Sequence, residues 1–153
     1  MARPVRIDVV GGWYHVMSRG TERRTIFGED REYRHFLELL AGMVERFFIE
    51  VHAYVLMPNH FHVLIRTPRA NASSGLQWLK TSYSMWYNRR HDRVGPLFQG
   101  RFRSSLIDAD GGWVLEASRY LHLNPVRVRG LGLGKAERLA EGRAWGAALR
   151  IPV

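Results

Sequence analysis

Two histidines stand one residue apart in an otherwise apolar run, YVLMPNHFHVLIR at 54–66. Side chains on a strand alternate faces, so His60 and His62 should point one way while Phe61 points into the opposite layer. The imidazoles would then lie roughly 6–7 Å apart, close enough to hold one ion. Two core histidines satisfied by ordinary hydrogen bonds are the competing reading. A two-histidine metal site is incomplete, and SRYLHLNPVRVRG at 118–130 offers further groups. Tyr120 and Asn124 lie four residues apart at a helix end and share one face. A tyrosine beside a metal-binding amide suits nucleophilic attack on phosphorus. A phenol of pKa ~10 needs positioning and nearby positive charge for that task. From spacing alone, packing by Tyr120 and a helix cap at Asn124 are the simpler account.

Positive charge is plentiful. The 153-residue chain carries a formal net charge of +9. Of its 23 basic residues only Lys80 and Lys135 are lysine. Either an anionic partner, nucleic acid first, or a biased composition explains the excess of arginine. Three clusters are expected to converge as phosphate contacts: Arg19, Arg23 and Arg24 after the first strand, Arg101 and Arg103 around Phe102, and Arg127 and Arg129 after the tyrosine helix. Solvated basic faces are the alternative. His15, on the first strand and beside the histidine strand, is a candidate to support the histidine pair as a neighbour of the ligands. His122 points away from Tyr120 and Asn124, towards solvent or DNA, and His35, His52 and His91 read as solvated or structural. Trp86 and Tyr87 read as core and not as base-stacking platforms.

WYHVMS (13–18) reads as a first strand after Gly11-Gly12. Asp30 caps a helix whose apolar positions Tyr33, Phe36, Leu37, Leu40, Met43, Val44 and Phe47 follow a 3.6 period. IEVHAYVLM (49–57) and HFHVLIR (60–66) form an antiparallel hairpin about Pro58-Asn59. A second helix opens at Ser73 or Ser74 and buries Leu76, Leu79, Tyr83, Trp86 and Tyr87. FQGRFRSSLID (98–108) is a fourth strand, a third helix runs from 112 to 123, and a fourth covers about 135–150. The order β-α-β-β-α-β is that of a ferredoxin-like, RRM-like α+β sandwich: an antiparallel sheet, helices on one face, and additional C-terminal helices. One domain, 1–153, is expected, with a core at about 12–131.

The motifs YVLMPNHFHVLI, GPLFQGRFRS and YLHLNPVRVRG, with YHVMSRGTERRTIF near the start, resemble the REP-associated tyrosine transposases. These belong to the single-tyrosine HUH transposase superfamily of insertion sequences. The resemblance implies that His60, His62 and Asn124 hold a divalent ion, Mg2+ or Mn2+, and that Tyr120 is the nucleophile. It implies a single-stranded DNA endonuclease and strand transferase acting through a 5′-phosphotyrosine link at hairpin-flanked sites. VRVRG departs from the family's pattern before Gly130, and the match beyond 131 is weak.

The alternative class is a non-catalytic, RRM-like single-stranded nucleic-acid-binding protein, which would display aromatics on the outer face of its central strands. A two-histidine phosphoesterase would need a second H-x-[ST] motif, which is lacking. With no cysteine, disulfides and thiolate metal sites are excluded. No apolar run approaches the ~18 residues of a membrane span, and no leader-like segment opens the chain, so the cytoplasm is the expected location; the resemblance implies a bacterial one, associated with the nucleoid. A monomer and a homodimer, with Tyr120 serving its own or its partner's ion, are both compatible with the sequence.

Overall fold

Alternation of side chains builds the sheet. In β1 (Gly12–Arg19) every second residue, Gly12, Tyr14, Val16 and Ser18, is buried, while Trp13, His15, Met17 and Arg19 face the other way. β2 (Glu50–Met57) and β3 (His60–Thr67) pair antiparallel across the Pro58-Asn59 turn, with Met57 opposite His60. These strands, and β4 (Arg103–Ile107), belong to the computed structural model, which describes residues 8–107 together with Leu115, Ser118 and Arg119.

The sheet order is β2-β3-β1-β4, antiparallel throughout. That order is the ferredoxin-like one: each helical connection skips a strand, so β1 comes to lie between β3 and β4. The two helices, α1 (Asp30–Phe47) and α2 (Ala72–Arg90), supply the apolar stripes that cover one face. Phe36, Leu40 and Met43 from α1 and Leu76, Leu79 and Tyr83 from α2 close over Val16, Phe61, Val63 and Ile65. Phe36 and Phe61 are fully buried with ring centroids 4.9 Å apart, and truncating Phe36 would cost about 3–5 kcal/mol. The opposite face carries a smaller cluster of Ala53, Val55 and Leu64, with Trp13, Met57 and Ile107 beside it.

Several boundaries differ from expectation for local reasons. The cap of α1 is Glu29, one residue before Asp30, because the buried Glu32 carboxylate reaches back to accept from the Glu29 amide at 3.2 Å and the Gly28 amide at 2.8 Å. α2 opens after Asn71, ahead of Ser73, and the Asn71 side chain is drawn away to the Phe47 carbonyl. A register shift interrupts β2 between Val51 and Ala53. β4 is shorter than the expected 98–108: Gly100 adopts φ 62, Phe102 turns inward, and Phe98 makes only an isolated bridge with Gly20. Leu115, Ser118 and Arg119, within the expected third helix, are helical. The rest of that helix and the expected helix at about 135–150 lie outside the described residues. No helix among the described residues is long and apolar enough to cross a membrane.

Candidate active site

Strand register decides which side chains meet on the face away from the helices. β1 lies beside β3 with Met17 opposite His62 and Arg19 opposite His60. His60 and His62 share that face, as their i, i+2 spacing requires, while Phe61 is fully buried beneath Phe36 and Phe98. Their ring centroids are 5.1 Å apart and nearly perpendicular, closer than an idealised strand would place them.

His15 completes a row of three imidazoles. Its Nε2 lies 2.9 Å from Nδ1 of His62, with the two rings stacked at 5.1 Å. On the other side, Nδ1 of His60 meets the Oδ1 of Asn59 at 2.6 Å. An amide oxygen only accepts, so this His60 nitrogen carries the proton and Nε2 is left as the basic one. If His62 likewise donates through Nδ1 to His15, its basic nitrogen is also Nε2. Each ring then has its Nδ1 engaged by a neighbouring side chain, the arrangement that orients imidazoles as metal ligands.

Electrostatics keep the cluster neutral. Burial, then the neighbouring charges of His15 and His60, push the His62 pKa down to about 3. Burial and then the Arg19 guanidinium lower His60, and burial lowers His15. A neutral imidazole is the ligating form, so the donor chemistry fits a divalent ion. Among the described residues no three His, Cys, Asp or Glu side chains are grouped to hold an ion. Asn124, the expected amide ligand, lies outside the described residues.

The arginines divide. Arg19 ends β1 on the histidine face, and its Nη2 donates to Oε1 of Gln99 at 3.3 Å. Arg103, opposite Met17 across the other edge of β1, shares that face and is exposed. Arg101 precedes β4 and is exposed, and Arg23 is exposed in the short 3-10 turn Thr21–Arg23. Arg24 is half-buried and its charge is felt at the Tyr87 phenol, on the helical side. Tyr120, His122, Asn124, Arg127 and Arg129 lie outside the described residues.

The remaining aromatic and histidine residues have structural partners. Tyr83 and Tyr87 donate their hydroxyls to the carbonyls of Ile26 at 2.5 Å and Thr25 at 3.0 Å. Burial pushes both phenols up, with the Glu32 carboxylate adding to the effect, so neither is suited to ionise and attack. His91 bonds Glu32 at 2.7 Å, His52 packs tilted against Trp13 with ring centroids 4.3 Å apart, and His35 stacks on Trp86 at 4.1 Å. Asn59 and Gln99 were missed by the sequence reading. Asn59 stands next to His60 in a tight turn, a signal that was available. Gln99 carries no local signal, because it reaches Arg19 only through the Gly20–Phe98 bridge.

Comparison with known proteins adds an independent line. The family model for IS200-like transposases matches residues 8–121. Among curated proteins, none matches. A solved REP-associated tyrosine transposase bound to a REP hairpin is similar in fold, with a TM-score of 0.68 at 19% identity over 83% of this chain and 74% of that one. A candidate transposase from Deinococcus radiodurans R1 is similar with a TM-score of 0.53 at 16% identity over 75% of this chain and 93% of that one.

Proposed function

The chain belongs to the IS200-like transposase family, and from that premise we propose that it is a metal-dependent single-strand DNA endonuclease and strand transferase that uses Tyr120 as nucleophile. The observation that carries this reading is the geometry of His60 and His62: neighbours on one strand face, ring centroids 5.1 Å apart, each with Nδ1 engaged by an adjacent side chain. Engagement of both Nδ1 atoms leaves Nε2 of His60, and of His62 when it donates to His15, as the nitrogens suited to ligate an ion.

In this reading His60 and His62 hold a divalent ion, Mg2+ or Mn2+, with Asn124 as the amide ligand. When bound, the ion would polarise a phosphoryl oxygen and stabilise the charge that builds on it. His15 and Asn59 hold the two imidazoles in their ligating tautomers. The Tyr120 oxygen attacks the scissile phosphorus, a P–O bond to Tyr120 forms, and the P–O3′ bond breaks. The products are a 5′-phosphotyrosine and a free 3′-hydroxyl, and the phenolic proton is balanced by the one the departing oxygen gains. A second 3′-hydroxyl attacking the link reverses the chemistry onto a new strand. No outside energy is needed, because the phosphotyrosine bond conserves that of the phosphodiester.

The DNA is proposed to be single-stranded beside an imperfect hairpin. Support comes from the positive charge on the histidine face, at Arg19 and Arg103, and from the fold shared with a transposase solved on a REP hairpin. Arg23, Arg24, Arg101, Arg127 and Arg129 are proposed as further phosphate contacts. The test is incubation with hairpin oligonucleotides bearing single-stranded flanks, with Mg2+ or Mn2+, followed by a denaturing gel. The wild-type protein should give a covalent protein–DNA band and Tyr120→Phe none. An equal band from Tyr120→Phe would remove Tyr120 from the role, and tight binding without any band would favour the non-catalytic reading.

A further inference from the structure

Arg19 occupies an unusual position among the arginines. It ends β1 opposite His60, on the histidine face, and it is half-buried. The next residue, Gly20, has no room for a side chain, since a Cβ there would stand 2.4 Å from the Arg24 carbonyl oxygen. The backbone therefore turns tightly and runs against a short segment between α2 and β4. Thr21 donates to the Leu97 carbonyl at 2.9 Å, and Gln99 donates to the Arg19 carbonyl at 2.8 Å. Leu97 and Phe98 are buried and fix this segment to the core, with the Phe98 ring 5.8 Å from Phe61. Alternation then turns Gln99 to the side that Arg19 occupies.

The choice of partner matters chemically. Arg66 and Arg90 bond to carboxylates, of Glu50 and Glu29 respectively, which cancel their charge. Arg19 is held instead by the neutral amide oxygen of Gln99, and among the described residues it makes no carboxylate pair. An amide fixes the direction of a guanidinium and leaves its charge in place. In addition, the Arg19 Nε is buried and finds no hydrogen-bond acceptor among the described residues, and a buried N–H left unsatisfied costs about 1–3 kcal/mol. A planar guanidinium aimed by an amide, with its charge left in place, is suited to a phosphate oxygen.

We propose that Arg19 is the clamp for the phosphate that is cut, taking a non-bridging oxygen beside His60, and that Gln99 is the positioning residue that aims it. The proposal rests on the strand-transfer reading above and singles out one arginine from the seven. Arg23, Arg101 and Arg103 are exposed and add general attraction for the backbone, whereas Arg19 is oriented.

The experiment is a binding measurement on hairpin DNA with a single-stranded flank, one phosphate at a time replaced by a neutral methylphosphonate. Fluorescence anisotropy at fixed salt would compare wild type, Arg19→Ala, Arg19→Lys, Gln99→Ala, Gln99→Glu and Arg23→Ala, each first confirmed as folded by circular dichroism. At one flank phosphate, neutralisation should weaken wild-type binding by roughly tenfold or more, the size of a charge-assisted contact. Arg19→Ala should be indifferent at that phosphate and unchanged in sensitivity elsewhere. Gln99→Ala should blunt the effect at that same phosphate only. Gln99→Glu, which cancels the charge, should abolish it. Arg19→Lys should keep part of it, and Arg23→Ala all of it. A purely structural role for Gln99 would shift every position alike and would overturn its assignment. An Arg19→Ala pattern identical to wild type, or coupling at a phosphate other than the one found linked to protein, would overturn the clamp. Coupling without any covalent adduct would leave the phosphate contact standing and retire the strand-transfer reading instead.

Discussion

His15 on β1 and His62 on β3 meet ring nitrogen to ring nitrogen at 2.9 Å, although 47 residues separate them in the chain. If His62 donates through Nδ1, His15 sets which nitrogen a metal can use, so its removal should be felt at the ion without touching it. We expect His15→Ala to weaken Mn2+ binding about 10–100-fold. His60→Ala and His62→Ala should abolish measurable binding while leaving the fold intact. Calorimetric titration of the four proteins checks this, and wild-type affinity in the His15 variant would reduce that residue to packing.

Acid should destabilise the metal-free protein earlier than an ordinary histidine would explain. The folded-state pKa of His62 is lowered from 6.5 to about 3, so in the folded chain it stays neutral while the unfolded chain takes up a proton. The stabilisation is therefore fully present above about pH 6.5 and is lost as pH falls from there towards 3. His15 and His60, also lowered, act in the same direction. Between pH 7 and 5 the His62 contribution alone is on the order of 2 kcal/mol. Urea unfolding in the presence of a chelator, at pH 7 and pH 5, should show a smaller fall for His62→Gln than for wild type. Equal falls would mean that His62 is not held neutral.

Glu32 joins the start of α1 to the end of α2. It is 1% exposed, accepts the amides of Gly28 and Glu29, and pairs with His91 at 2.7 Å. Glu32→Ala strands two backbone donors and frees the helix start, which should cost about 3–5 kcal/mol. Glu32→Gln keeps the reach-back acceptor and should cost less. Thermal and urea denaturation order the three proteins, and an undiminished Glu32→Ala would contradict the pinning role.

DNA affinity should favour a hairpin with a single-stranded flank over plain duplex and should fall steeply with salt. Each phosphate contact on a single strand contributes a slope of about 0.7 in log affinity against log salt. Arg103→Ala, on the histidine face, should reduce that slope by about one contact. Anisotropy titrations at several salt concentrations test both statements, and equal affinity for plain duplex would count against the proposed substrate.

The order of elements, the antiparallel hairpin and the shared face of His60 and His62 were legible because each depends on a local rule: a period of 3.6, a period of 2, or a two-residue turn. The burial of Tyr83 and Tyr87 was legible for the same reason, as both fall on the apolar stripe of α2. The shortened β4 was not, because Phe98 and Phe102 look like strand residues until Gly100 at φ 62 breaks the run between them. Nor could the sequence decide what surrounds the histidine pair. Periodicity says which face a side chain takes and is silent on which strand lies next door or in what register. Only the crossing connections that insert β1 between β3 and β4 bring His15 to His62 and Arg19 opposite His60. Only the burial of Leu97 and Phe98 carries Gln99 to Arg19, because that contact is made by the core pulling two distant segments together and not by either segment alone.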